Sequence, residues 1–409
     1  MSPRSVKDLL QRIALSATVG LMAGAAAAVF LYTLDRATRL REAYPQLIWF
    51  LPVAGLVLGI FYHLYGRSVE KGTGLILEQI HDPQHIIPLR MAPMILLGTI
   101  LTHLFGGSAG REGTAVQMGS SLADQLSRLF PVSKEDRKIL LIAGAGAGFS
   151  AAIGAPWAGA LFGLEVIQVG RLRLFALWEC LVASFVAYYF CRWLGAPHSI
   201  FPSVTEVSYS AMSFAWVLVA GMCFGLAANI FMRFTHLVES MQKRFVKNPV
   251  WRPFFGGMVL VLLFWWQGSD RYAGLGIPVI QEAFHQSLSW FDPILKTLFT
   301  GLTIGSGFKG GEFIPLVFVG TSLGSALAAV LPLGIPLLAA LGFAAVFGAA
   351  ANTPIACAVM ACELFGWQIA PYALLACWSA YFMTGHLGIY KNQKIVRSKK
   401  DQLLRVFKR

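Results

Sequence analysis

Two acidic residues stand in glycine-rich interruptions of an apolar chain: Glu112 in Gly110-Arg111-Glu112-Gly113, and Glu312 in Gly310-Gly311-Glu312-Phe313-Ile314-Pro315. An apolar run resumes after each, as a helix would. The first N–H groups of a helix lack intrahelical partners and sit at the positive end of its dipole, so a helix start can hold an anion. A carboxylate placed there is held by the same groups. It occupies the site when ionised and leaves when protonated or displaced, so one side chain can couple protons to anions. Glu112 is the sharpest candidate for this role. The structural alternative is a helix-capping acid paired with Arg111.

Other chemistry-bearing residues read as structural. His81-Asp82-Pro83-Gln84-His85 resembles a metal cluster, but Asp-Pro marks a turn between apolar runs, which makes a loop the better reading. Cys180, Cys191, Cys223, Cys357, Cys362 and Cys377 lie in apolar segments without a CxxC pair and read as core filling, not disulfides or metal ligands. Glu165 and Glu363 read as structural acids, and His386 as a cap on the last helix. No HExxH motif or nucleophile–base pair supports an intramembrane enzyme. No metal and no cofactor is expected.

The elements that position these residues follow from composition. Hydrophobic residues fill 56% of 409 positions and charged residues 13%, against about 25% charged in soluble domains. Uncharged stretches run over Ile13–Leu34, Gln46–Tyr65, Ile139–Leu164, Ser210–Met232 and Phe313–Cys362. About 20 apolar residues cross a bilayer as a helix, so each of the first four is expected to cross once and the last to hold more than one helix. The fold class is an all-α integral membrane protein in contact with lipid. No polar stretch is long enough for a soluble unit, and no appended regulatory (CBS) domain is expected.

The net charge of +13 is gathered at the ends: Lys391–Arg409 holds eight Lys or Arg against Asp401 alone, and Arg4, Lys7 and Arg12 precede the first span. Basic flanks beside membrane helices mark the cytoplasmic side. Both termini are therefore expected in the cytoplasm, and no nucleic-acid partner is expected. Trp251, Trp265 and Trp266 fit an interfacial belt.

The chain repeats itself. Pro156 and Glu165 recur as Pro354 and Glu363 at a spacing of 198, and Gly119 recurs as Gly320 at 201. The expected organisation is a first transmembrane repeat over 1–200 and a second over 201–409 with a short basic tail. Ser199–Ser210 reads as the external linker. Repeated membrane units with interrupted helices place a binding site where the repeats meet, and irregular backbone at membrane depth must be buried or line a cavity. Helix starts at Gly72, Gly110, Gly311 and near His386 are expected to converge there. Gly144, Gly146 and Gly148 read as packing glycines.

Gly110-Arg-Glu-Gly113, Gly310-Gly-Glu-Phe-Ile-Pro315, the Gly72-Thr73-Gly74 turn and Tyr390 in Gly385-His-Leu-Gly-Ile-Tyr390 resemble, in order and spacing, the signature segments of the CLC anion-transport family. The resemblance covers nearly the whole chain. It implies a CLC-type inverted repeat of two halves with tilted and broken helices, and a homodimer with a separate anion path in each subunit. Glu112 is then the gate, and Thr73 supplies a hydroxyl near the anion. Gly110, Arg111, Gly113, Gly311, Phe313 and Ile314 frame the site, with backbone donors at Phe313 and Ile314, and Tyr390 donates its O–H.

The departures from the chloride branch of that family are specific. Thr114 stands where most chloride members have Pro, and Val166 where the internal proton-transfer glutamate would be. These features, with Glu312, resemble the bacterial fluoride-exporting branch, which implies the bacterial inner membrane and makes Glu312 a second proton carrier. Phe313 and Thr73 look more like the chloride branch. The expected function is a fluoride/proton antiporter, with a chloride/proton antiporter or a passive chloride channel as the alternative.

Overall fold

The computed structural model describes residues 6–407; Arg4, Lys408 and Arg409 of the basic ends lie outside the described residues. In chain order the helices are α1 Val6–Ala43, α2 Leu51–Tyr65, α3 Thr73–His81, α4 Met91–Leu104, α5 Glu112–Leu129, α6 Lys134–Ile153, α7 Pro156–Glu165 and α8 Leu177–Trp193. There follow α9 Ala211–Phe245, α10 Arg252–Gln267, α11 Ile277–Glu282, α12 Phe291–Gly305, α13 Phe313–Leu327, α14 Ile335–Ala351, α15 Pro354–Phe365, α16 Ala370–Met383 and α17 Lys399–Phe407.

The first eight helices and the next eight form parallel series. Each opens with a long helix (α1, α9), passes through a short one (α3, α11), and ends with a pair that returns to the first. Helix α1 packs on α8 and α9 on α16; α5 packs on α6 and α13 on α14. Across the halves, equivalent helices pack on each other: α2 on α10, α5 on α13 and α7 on α15. That self-pairing is the geometry of a two-fold pseudo-symmetric repeat. Strand content among the described residues is a two-residue parallel pair, β1 Gln168–Val169 with β2 Lys394–Ile395.

Small residues set the packing at the centre of each half. Helices α6 and α14 are buried along almost their entire length. A Cβ on Gly144 would stand 2.7 Å from Gly119 O, and one on Gly146 2.6 Å from Gly159 O. Backbones this close require glycine, the seam expected of membrane helices. Among the described residues, five helical segments are long and apolar enough to cross a membrane, including Leu9–Ala43, Leu174–Trp193 and Ala211–Phe245. Trp251, Trp265 and Trp266 lie exposed on the outer face.

Two expectations are corrected here. Ile139–Leu164 is not one crossing: Gly154, at φ +86°, ends α6 in a left-handed turn and Pro156 starts α7. At ten residues α7 is about 15 Å long, half a bilayer core. The 313–362 run, by contrast, holds three helices, α13 to α15, in line with the expectation of more than one.

No helix starts near His386, although a fourth was expected to converge on the site there. Residues 384–398 are non-helical, with Gly385 at φ +59°. This segment's backbone bonds go to neighbouring elements instead, such as Ile389 N–H to Ala350 O at 2.9 Å. His386 does cap the last helix, its Nε2 accepting from Lys399 N–H at 3.3 Å. His81–His85 leads out of α3 into a loop, where Gln79 Oε1 accepts from the Gln84 and His85 amides at 3.0 Å each.

Candidate functional site

Gly110 and Gly311 exchange two backbone hydrogen bonds: Gly110 N–H donates to Gly311 O at 2.6 Å and Gly311 N–H to Gly110 O at 2.7 Å. This bridge sets the starts of α5 and α13 against each other across the two halves. A Cβ on Gly110 would lie 2.9 Å from Gly311 O, and one on Gly311 2.9 Å from Gly113 N. Three glycines therefore let two helix starts touch. Gly310, at φ +154°, adopts a backbone that only glycine takes readily. The leading N–H groups of both helices, at Glu112, Gly113, Phe313 and Ile314, have no carbonyl one turn back to accept them.

A cavity of ≈ 680 Å³ opens at this junction. Thr73, Glu112, Gly113, Gly311, Glu312, Phe313 and Tyr390 all line it. The remaining three expected residues lie behind the wall. Gly110 is in the bridge, Ile314 is buried in the core, and Arg111 reaches outward to donate to Ser199 Oγ at 3.2 Å.

Glu112 is the first residue of α5 and is 1% exposed. Its carboxylate accepts from Arg111 N–H at 3.2 Å and Arg111 Nε–H at 3.3 Å. It thus lies against the start of its own helix, where an incoming anion would compete for amide donors. Glu312 is the N-cap residue of α13 and faces the cavity without a capping bond of its own. Thr73 opens α3 after Gly72, whose φ of +55° turns the chain into the helix. Tyr390 comes from the non-helical segment after α16 and packs edge-on against Phe162, with ring centroids 6.4 Å apart.

The sequence reading missed the groups that hold these elements in place. The buried His103 ring on α4 spans Thr99 O (2.8 Å) and Ala109 O (3.0 Å), pinning the segment that delivers Gly110. Thr114 bonds Thr99 through the two hydroxyls at 2.7 Å. Ser108 meets Thr300 at 2.9 Å and tethers the same segment to α12. Asn392 donates to Gly74 O and Glu78 Oε1, both at 3.0 Å, and so ties the Tyr390 segment to α3. A polar residue in an apolar helix, such as His103, was a visible signal; its partners were not.

The cavity's mouth is charged. Lys71 pairs with Glu78 at 2.9 Å and Lys243 with Glu239 at 2.7 Å, while Arg67, Arg252 and Lys309 add cations. Lys309 lies 4.2 Å above the Tyr62 ring.

Residues 54–385 match the model of the voltage-gated chloride channel family. The chain belongs to that family. This CLC chain is 47% identical over 393 residues to the chloride/fluoride channel protein of Pseudomonas syringae pv. tomato, covering 95% of this chain and 87% of that one. The voltage-gated ClC-type chloride channel ClcB of Salmonella typhimurium is 30% identical over 300 residues, covering 69% and 70%. Among solved structures, a CLC-type fluoride/proton antiporter matches with a TM-score of 0.92 at 37% identity, over 96% of this chain and 99% of that one. A slow cyanobacterial Cl⁻/H⁺ antiporter shares the fold at a TM-score of 0.78 and 23% identity, with 97% of each chain covered. The CLC fold explains the short helices: α5 and α13 start inside the protein because their N-termini face the cavity.

Proposed function

We propose that this CLC protein is a fluoride/proton antiporter that exports fluoride, with Glu112 as its gate and Glu312 as the second proton carrier. The observation that supports this most strongly is that both carboxylates open on one cavity, at the abutting starts of α5 and α13. Ionised Glu112 holds the donors at its helix start. Protonated Glu112 releases them, and an anion takes its place. Glu312, nearer the charged mouth, passes protons between the cytoplasm and that site. Fluoride is small and gives up water reluctantly, so it needs short, strong donors. Amides of Gly113, Phe313 and Ile314 and the hydroxyls of Thr73 and Tyr390 supply them in this reading. The 47% identical relative bears a chloride/fluoride name and the 37% identical structure is a fluoride/proton antiporter, which favours fluoride over chloride.

In the same reading, residues 1–200 and 201–409 are the two repeats, and both termini and the charged mouth face the cytoplasm of a bacterial inner membrane. The clustering of Lys71, Lys243, Arg252 and Lys391 at that mouth supports the orientation. The protein works as a homodimer. Exposed apolar side chains on α8 (Trp178, Trp193) and on α16 (Leu374) support that reading. Replacing Glu112 by Ala tests the core of the proposal: fluoride flux should persist while proton movement disappears. Retained proton coupling in a folded Glu112→Ala protein would refute Glu112 as the gate.

A further inference from the structure

A second cavity, of ≈ 660 Å³, shares no lining residue with the anion cavity. It lies where α1, the end of α3, the start of α6, the α7–α8 connection and the C-terminal tail meet. Five cations line it, Arg12, Lys138, Arg171, Arg173 and Lys394, against one carboxylate, Glu135. Two of these cations are already paired: Arg12 with Asp136 at 2.7 Å and Lys138 with Glu135 at 2.8 Å. Among the described residues, Arg171, Arg173 and Lys394 have no carboxylate partner. His81 Nε2 is buried on the same wall, with no hydrogen-bond partner among the described residues. Arg173 Nε–H donates to the neutral Gln168 Oε1 at 3.0 Å on this wall, and the remaining lining is apolar, with Ile80, Ile139, Ile142, Ile167 and Phe175.

Three unpaired cations around one void repel each other until an anion joins them. A halide is too small to bridge them across a cavity of this size. A phosphate group has several acceptor oxygens, and the guanidinium fork matches it in two-point fashion. Basic pockets beside the cytoplasmic ends of membrane helices, with apolar surface alongside, suit phosphate-bearing headgroups. The placement also reaches the transport site. Helix α3 runs from Thr73 in the anion cavity to His81 in this one, and the tail runs from Tyr390 to Lys394. Strand β2, which carries Lys394, is pinned beside β1 by register with Gln168.

We propose that this cavity is a second, non-transported anion site, which binds a phosphate group carried by a membrane lipid or by a soluble phosphate compound. Bound phosphate clamps the α7–α8 connection to the tail, and so braces the segment that presents Tyr390.

The test is thermal unfolding of the full-length protein in neutral detergent, titrated separately with dioctanoyl phosphatidylglycerol, dioctanoyl phosphatidylcholine and inorganic phosphate. Saturable stabilisation by phosphatidylglycerol alone, weakened about 100-fold in the Arg171→Gln/Arg173→Gln/Lys394→Gln protein, establishes a lipid headgroup site. Equal, saturable stabilisation by inorganic phosphate, lost in the same variant, assigns the site to a soluble phosphate. No saturable response, an equal response to phosphatidylcholine, or equal responses of wild type and variant overturns the site. Arg171→Gln alone, with a loss of about fivefold, serves if the triple variant does not fold. Because binding is the readout, a negative result leaves the transport proposal untouched, and the reverse holds.

Discussion

Glu165 and Glu363 each reach across the pseudo-symmetry to cap the helix that carries the other. Glu165, at the end of α7, accepts from Ile355 N–H (3.1 Å) and Ala356 N–H (2.8 Å) at the start of α15. Glu363, near the end of α15, accepts from Trp157 N–H (2.9 Å) and Ala158 N–H (2.7 Å) at the start of α7. Each carboxylate meets the positive end of a helix dipole and satisfies two amides that have no intrahelical partner. Hydrogen bonds to a charged group are worth about 1.5–3 kcal/mol each, so Glu165→Ala should cost about 3 kcal/mol or more. Thermal unfolding should show that loss for Glu165→Ala and for Glu363→Ala. Anion preference should be unchanged in both, since neither residue lines the anion cavity.

Glu312 carries the second proton step in this account. Glu312→Gln keeps the size and hydrogen-bonding shape but cannot exchange a proton. Coupled fluoride efflux from liposomes should fall about 100-fold, the scale of losing one positioned proton-transfer group. Fluoride binding to the detergent-solubilised variant, followed by calorimetry, should persist. Unchanged coupled flux would remove Glu312 from the proton path.

The Gly110–Gly311 bridge predicts a sharp steric rule. Gly110→Ala would drive a Cβ to 2.9 Å from Gly311 O and 3.0 Å from Ile314 N. Overpacking of this kind costs about 1–3 kcal/mol, and here it also separates the two helix starts. Gly110→Ala should lower the unfolding temperature and abolish transport. Gly334→Ala is the control: its φ is −60° and the nearest atom to the new Cβ would be Pro336 Cδ at 3.9 Å. That protein should behave as wild type.

Asn392 joins the two hydroxyl donors. Its side chain bonds α3 at Gly74 O and Glu78 Oε1, two residues along the chain from Tyr390. Losing one such bond costs about 1 kcal/mol, so Asn392→Ala should weaken fluoride binding about fivefold through the position of Tyr390. Tyr390→Phe should weaken it by a similar factor. The double variant should show less than the product of the two effects, because the same donor is lost in both.

Much of the site was legible because it is local. Glu112, Glu312 and their flanking glycines announce themselves as charges inside interrupted apolar runs, and the 198–201 spacing of the motifs exposed the two halves. The cavity gathers seven of the ten expected residues on its wall, and the other three stand directly behind it. What was misread depends on context that apolarity conceals. Ile139–Leu164 has the hydropathy of one span, yet a left-handed Gly154 followed by Pro156 cuts it in two. The segment near His386 carries the glycines of a helix start, yet Ile389 and its neighbours are bonded to α14 and do not form one. Partners such as Asn392 and Gly74 stand 318 residues apart, and nothing in either segment names the other.

The central claim is that fluoride leaves as protons enter through the Glu112–Glu312 cavity. The most direct measurement follows anion release and proton uptake together, in liposomes containing the purified protein and loaded with fluoride or with chloride. Fluoride release with proton uptake in fixed proportion, and little chloride release, is the predicted result. Chloride release as fast as fluoride release, or fluoride release without proton uptake, would contradict it.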